Sequence, residues 1–225
     1  MFAAAPIKRM SILERRPGDT QEFFLRHWHQ VHGGMVSRLP HLFAYNQNHV
    51  LESFDSVLPG YPAAGFVEQL WRSTREMQMG YNSPVVGELV TDEVNYLGHG
   101  SNYAILTGMP LTSAPDGGKL IATVRHGGQV AFADAVADAA ASLAGCKLFI
   151  RDDVIATIAK PNMLPVPPRA VDVFLHLHFA DAASARQAAM QLTDFVNALQ
   201  AGPLAAFGLH RVETRTIVTP QSGQA

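Results

Sequence analysis

At 225 residues and 48% hydrophobic content, the chain is long enough for one large domain or two small ones around a sizeable core. A formal net charge of -2, with Lys and Arg scattered rather than clustered, excludes the electrostatic footprint of a nucleic-acid or anionic-membrane binder. A single cysteine, Cys146, excludes an internal disulfide and a cysteine-rich metal knot, and no apolar run reaches the length of a membrane span.

In chain order, the N-terminal MFAAAPIKRM carries its charges after its apolar residues, the reverse of a signal peptide, so a cytoplasmic protein is expected. IKRMSIL (7–13) reads as a strand. RRPGDT follows as a turn, with Asp19 or Thr20 as N-cap of a helix over 21–38 that Leu39-Pro40 ends. HLFAYNQNHVLES (41–53) and AAGFVEQLWR (63–72) read as strands, Thr74–Tyr81 and the acidic TDEVNYL region as short helices, and SNYAILTGMP (101–110) as a fourth strand. PLTSAPDGG (110–118) is a linker by composition. The pattern then begins again. KLIATVRH (119–126) is a strand and 128–145 an alanine-rich helix closed by Gly145. CKLFIRDDVIATI (146–158) is a strand with a bend at Arg151-Asp152-Asp153, PNMLPVPPR an extended loop, and AVDVFLHLHFA (170–180) a strand. A helix over 182–200 begun by Asp181 and a last strand over 207–218 complete the chain. The order β-α-β-β-α-β occurs twice, which predicts an α+β chain of tandem ferredoxin-like units, one over 1–110 and one over 118–220, each with an antiparallel sheet. Open antiparallel edges further predict a homodimer. Cys146, in its apolar run, is expected as a buried core thiol.

The stretch FLRHWHQVHGGM, Phe24–Met35, holds three histidines and a tryptophan. At about 100° per residue, Phe24, Trp28, Val31 and Met35 share an apolar arc facing the sheet. His27 and His32 fall on opposite shoulders of that arc, and His29 points to water with Arg26 and Gln30. Such histidines do not converge, unlike an i, i+4 pair that grips zinc, so no metal is expected here. On the strand FLHLHF, Phe174, His176 and His178 share one face; with His126 they are the alternative place for a metal, but no third ligand is evident. No nucleophile-elbow, Walker or dinucleotide fingerprint is present.

The first half resembles the EthD family of the dimeric α/β-barrel superfamily. The resemblance rests on Lys8 with its apolar strand, RRPGDTQEFF, the HW-x-x-x-H of His27, Trp28 and His32, Leu39-Pro40, and AYNQNHV with Tyr45, Asn48 and His49. It covers about half of the chain. Gly33-Gly34 stands where members more often carry Ala-Pro, and the second half has no HW-x-x-x-H, so the resemblance puts one site in the first half alone. It implies sheets closing into a barrel with helices outside, within one chain or between two, and ligands held between a sheet and its helices. Relatives include cofactor-free monooxygenases, lactone isomerases, dehydratases and haem enzymes. On this basis a sheet-facing histidine is the expected general acid/base, His32 ahead of His27, with Tyr45 polarising a substrate oxygen. Phe24, Trp28, Met35, Phe43, Phe66 and Trp71 are the expected apolar walls around a small oxygenated substrate. The expected activity is that of a cofactor-independent lyase, dehydratase or isomerase. Cofactor-free oxygenation and non-catalytic ligand binding are the alternatives.

Overall fold

The computed structural model describes residues 6–98, 103–108, 110–112, 117–159 and 170–219. The loop PNMLPVPPR and the middle of the linker at 110–118 lie outside them. The elements are β1 (Ile7–Leu13), α1 (Gln21–His27), a π-helical turn (Trp28–His32), α2 (Gly33–Val36), β2 (Ala44–Phe54), β3 (Gly65–Trp71), α3 (Thr74–Tyr81), α4 (Val85–Glu93) and β4 (Tyr103–Thr107). They continue as β5 (Lys119–Arg125), α5 (Val130–Ala141), β6 (Leu148–Ala159), β7 (Val173–His178), α6 (Ala182–Ala198) and β8 (Ala206–Val218).

Eight strands close into one antiparallel barrel in the order β1-β3-β2-β8-β5-β7-β6-β4, β4 returning to β1. Closure therefore occurs within a single chain, through the pairs β2·β8 and β4·β6. A closed barrel has no free sheet edge, so open strands no longer argue for a homodimer. β6 runs through Arg151-Asp152-Asp153, where a bend is expected, without a break in the strand. It changes neighbour there, pairing with β7 up to Asp153 and with β4 from Val154, and its register to β4 slips by one residue between Val154 and Ala156.

Strand alternation divides the interior in two. One face of each strand points into the lumen, where Met10, Ile12, Phe66, Ile105, Ile121, Phe174 and Val212 pack. The other face meets the helices. There α5 and α6 cover β5, β7 and β8 with an Ala/Leu/Val core, and the helices of the first half cover β1 and β3 around Phe24, Trp28 and Trp71. The caps are local: the Thr20 hydroxyl accepts from the Phe23 N–H at 3.1 Å, and Asp181 accepts from the Ser184 N–H at 2.8 Å. Cys146 is only partly buried, in the turn before β6 at the rim of the second core rather than inside it. No helix of the described residues is long and apolar enough to cross a membrane.

Besides its apolar residues the lumen holds charge. Lys8, Glu68, Lys119, Asp152 and His176 are all fully buried. Lys119 lies 3.0 Å from Glu68, Lys8 bridges Asp152 and Glu68, and Thr107 donates to Asp152. Burial pushes the Glu68 carboxyl up, but the Lys119, His176 and Lys8 charges overcome it and bring it down to about 2. His176 sits between Glu68 and Asp152 at 3.7 and 3.6 Å, and burial pushes its pKa down.

Candidate active site

The first-half helix is not a uniform α-helix. Between Trp28 and His32 it widens into a π turn, with the Gly33 N–H bonded to the Trp28 carbonyl, five residues back. In an α-helix residues 27 and 32 diverge; a turn closed by an i→i+5 bond brings residues five apart to nearly the same side. The extra residue also shifts the phase of everything after it. Val31, expected in the apolar arc, is exposed, while His32 and Val36 are buried. Gly33 suits this turn, because a Cβ there would lie 3.0 Å from the Gln47 amide.

The histidines that should have diverged therefore share one partner. His27 Nε2 lies 2.8 Å from one oxygen of Asp92, and His32 Nδ1 lies 2.9 Å from the other. Asp92 sits in the last turn of α4 and is 6% exposed. Burial pushes its carboxyl up, yet the hydrogen bonds from His32 and His27 outweigh that and leave it below the usual carboxylate range. An ionised carboxylate only accepts, so both imidazole nitrogens facing it carry protons. For the neutral ring of His32 the tautomer follows: Nδ1–H toward Asp92, and a lone pair on Nε2. The ring of Tyr96 packs against both imidazoles, at centroid distances of 4.9 and 5.3 Å. His29 is half-buried rather than in water, 3.4 Å from the Gln47 carbonyl oxygen that His49 also approaches.

Between the outer face of β1–β3–β2 and the helices lies a cavity of roughly 280 Å³. His32 lines it and Asp92 does not, so the imidazole spans from the carboxylate to the cavity. The floor is a row across three strands, because Arg9 and Tyr45 both pair in register with Gln69. The Tyr45 hydroxyl accepts from Trp28 Nε1 at 3.1 Å and from the Gln47 amide at 2.9 Å, so its own proton is free to be donated into the cavity. Burial pushes the Tyr45 pKa well up, beyond what those two donors counter, and the phenol stays neutral. Trp28, Val36, Met77, Leu89 and Tyr96 supply apolar wall.

Of the residues singled out in the sequence, the structure brings His32, Tyr45 and Trp28 to this cavity. His27 reaches Asp92 without lining it. Phe24 and Trp71 are buried behind the wall, where Phe24 packs on Trp28 and Tyr96, and Trp71 on Tyr81. Phe66 points the opposite way, into the lumen against His210. Met35 packs at the margin of the helix core, and Phe43 lies beneath the Arg72 guanidinium. His176 and His178 are lumen residues at the Lys119 end of the sheet, whereas His126 lies beyond the other end of β5 beside Asp172. Among the described residues no group of three His, Cys, Asp or Glu is placed to hold a metal. Sequence reading missed Asp92, Arg9 and Gln69. The only signal for Asp92 was its acidic stretch, TDEVNYL, which reads as a solvated helix end.

No family model and no curated protein matches the chain. Among solved structures, a candidate monooxygenase from Fusobacterium nucleatum matches with a TM-score of 0.54 over 96% of this chain and 95% of its own, at 7% identity. What is shared is the fold. A second candidate monooxygenase, from Lactobacillus acidophilus, covers 96% and 97% of the two chains at 11% identity and a TM-score of 0.45. A chlorite dismutase from Candidatus Nitrospira defluvii covers 92% and 91% at 9% identity and 0.45. The first of these places the chain among α+β barrels, and a barrel of this kind does not name a reaction.

Proposed function

We propose that the chain is an enzyme that moves a proton on a small, mostly apolar oxygenated molecule, with His32 as general base and acid. The observation that carries this is the Asp92–His32 pair, in which a carboxylate fixes one ring nitrogen as a donor while the ring borders an apolar cavity. Asp92 also stabilises the imidazolium formed when Nε2 takes a proton. Tyr45, neutral and with its own hydrogen free, donates to the substrate oxygen on which charge builds. His27 holds Asp92 from the other side and is the positioning residue of the three. The reaction class is isomerase, lyase or dehydratase, with no cofactor required by these steps. The EthD-like pattern around His27, Trp28 and His32 supports the same placement, and the repeated element order supports two ferredoxin-like halves, 1–110 and 118–220. The homodimer expected from open strand edges loses that ground with the barrel closed in one chain, and light scattering decides the oligomeric state.

The fold neighbour from Fusobacterium nucleatum, named as a candidate monooxygenase, motivates one second reading. The same base would make an electron-rich enolate or phenolate for attack on dioxygen. Both readings require proton abstraction by His32, which can be measured before the natural substrate is known. The purified protein is incubated in D2O with butenolides, aryl ketones and phenols, and exchange of carbon-bound hydrogen is followed by NMR. At least one compound should exchange faster than in buffer, with His32→Gln slowing it by about 10² to 10⁴. Oxygen uptake with that compound then separates oxygenation from isomerisation. Exchange that His32→Gln leaves unchanged removes the proposal.

A further inference from the structure

The floor of the cavity contains a cation with no anion. Arg9 is 8% exposed, and a guanidinium withdrawn this far from water is ordinarily paired with a carboxylate. No carboxylate of the described residues lies within ion-pair distance of it. Its protein partners are neutral: Nη1 donates to the Gln69 carbonyl oxygen at 3.1 Å, and the guanidinium carbon lies 4.5 Å from the centre of the Tyr81 ring. Gln69 is itself held, since the Tyr81 hydroxyl donates to the same oxygen at 2.6 Å. One of five N–H groups is thus used, and the geometry of the fork is fixed from one side.

A second polar group on the same face also lacks a partner. Ser11, two residues along β1 and 1% exposed, lines the cavity with a buried hydroxyl that has no hydrogen bond. The Tyr45 hydroxyl, two strands away and roughly 10 Å at the backbone, offers a third donor. Glu93, the single acidic residue among the described lining, lies half-buried on α4 and makes no ion pair with Arg9. Elsewhere the lining is mostly apolar, so an unpaired guanidinium here acts at low dielectric and favours negative charge strongly.

We propose that Arg9, with the Ser11 hydroxyl beside it, is an anion anchor, and that the ligand is a small, otherwise apolar molecule bearing one ionised oxygen, carboxylate or phenolate. This rests on the reading of the cavity as a proton-transfer site and deepens it. The ionised oxygen lies over Arg9, and the reacting carbon lies toward His32 and Tyr45. The size suits a single substituted ring: an engineered apolar cavity of about 150 Å³ holds benzene, and this one is roughly 280 Å³.

Isothermal titration calorimetry of the purified chain with benzoate, benzamide and pentafluorophenol at neutral pH tests this. Benzoate should bind on the order of 10- to 100-fold more tightly than its neutral isostere benzamide, as the loss of a hydrogen-bonded charge pair predicts. The preference should vanish in Arg9→Gln, survive in part in Arg9→Lys, which keeps the charge without the fork, and keep its direction in His32→Gln whatever the affinity of each probe becomes. That last arm separates this inference from the acid/base reading, since binding selectivity can hold while exchange fails, or the reverse. Pentafluorophenolate binding more tightly than benzoate assigns the phenolate class, and the opposite order the carboxylate class. Equal binding of benzoate and benzamide, or a preference that outlasts Arg9→Gln, overturns the proposal. So does the absence of binding by every probe at millimolar concentration, or a preference lost in His32→Gln while the Arg9 variants keep it. Melting curves accompany each variant; if Arg9→Gln does not fold, the wild-type preference and its reduction in Arg9→Lys carry the test.

Discussion

Replacing Asp92 by Asn changes one oxygen for one NH2 at the point where the two histidines meet. The carboxylate accepts from His27 at 2.8 Å and from His32 at 2.9 Å, and it is nearly excluded from water. Hydrogen bonds to a charged group contribute about 1.5 to 3 kcal/mol each, against about 1 for a neutral pair. The amide can accept from only one imidazole and must face the other with a donor, so a loss of roughly 2 to 5 kcal/mol is expected. For a chain of this size that is a fall in melting temperature of about 5 to 15 °C. The histidine facing the NH2 must move its proton to its other nitrogen. If that is His32, Nε2 becomes a donor and the base is lost, with exchange slowed by about 10² to 10⁴. If the amide turns its oxygen to His32, the partly buried His27 changes tautomer instead and the rate falls less. Nitrogen-15 NMR of the histidine rings separates the two cases, read beside chemical denaturation and the D2O exchange rate. A variant within about 0.5 kcal/mol of wild type, with both tautomers and the exchange rate unchanged, would refute the claim that Asp92 organises the site.

Acid should destabilise the fold through the lumen charges: Glu68 is held down to about 2 against an ordinary 4.5, so its contribution is complete above about pH 4.5 and is lost as the pH falls toward 2. Urea denaturation at pH 7 and pH 2.5 should differ by on the order of 3 kcal/mol from this group alone, and a flat profile contradicts the ion-pair assignment. Gly65→Ala places a Cβ 2.4 Å from the Trp28 ring, so the indole must shift; a cost of about 1 to 3 kcal/mol and a changed tryptophan emission are expected, and silence in both would show that the ring has room. Tyr45→Phe leaves the buried Trp28 and Gln47 donors without their acceptor at about 1 to 3 kcal/mol and should also slow exchange of the probe; lost stability with an unchanged rate would make Tyr45 purely structural.

Turn residues carried much of the element order, because a strand buried on both faces, as β1 is along its whole length, loses period-2 alternation but keeps Gly and Pro punctuation at its ends. Thr74–Tyr81 and the Asp181 cap were legible for the same local reason. Which edges met was not legible: nothing in β2 or β8 alone says that they pair with each other rather than with a second chain. Within the site, Tyr45, Trp28 and His32 were reached through the EthD-like resemblance of one helix and one strand, and all three line the cavity. Asp92 could not, because it lies 60 residues from His32 and its burial depends on how α4 packs against the π turn. Phe66 was misplaced by ignoring parity, since it precedes Val67 by one and so faces the lumen.

The histidine geometry failed for a more informative reason. Helical arithmetic assumes about 3.6 residues per turn, and one inserted residue defeats it while leaving the apolar composition of the helix untouched. A π turn gives up regular helical hydrogen-bond geometry, so it persists where the surrounding structure holds it in place. Here four contacts with other elements do so: Trp28 donates to Tyr45, its carbonyl accepts from the Gln47 amide, and His27 and His32 close on Asp92. Each of those contacts involves a residue of the cavity or a direct neighbour of one. The irregular turn and the acid/base pair are thus one feature: without the extra residue His32 would turn away from Asp92, and without Asp92 two imidazoles would be left facing each other beneath Tyr96 with no charge to orient them.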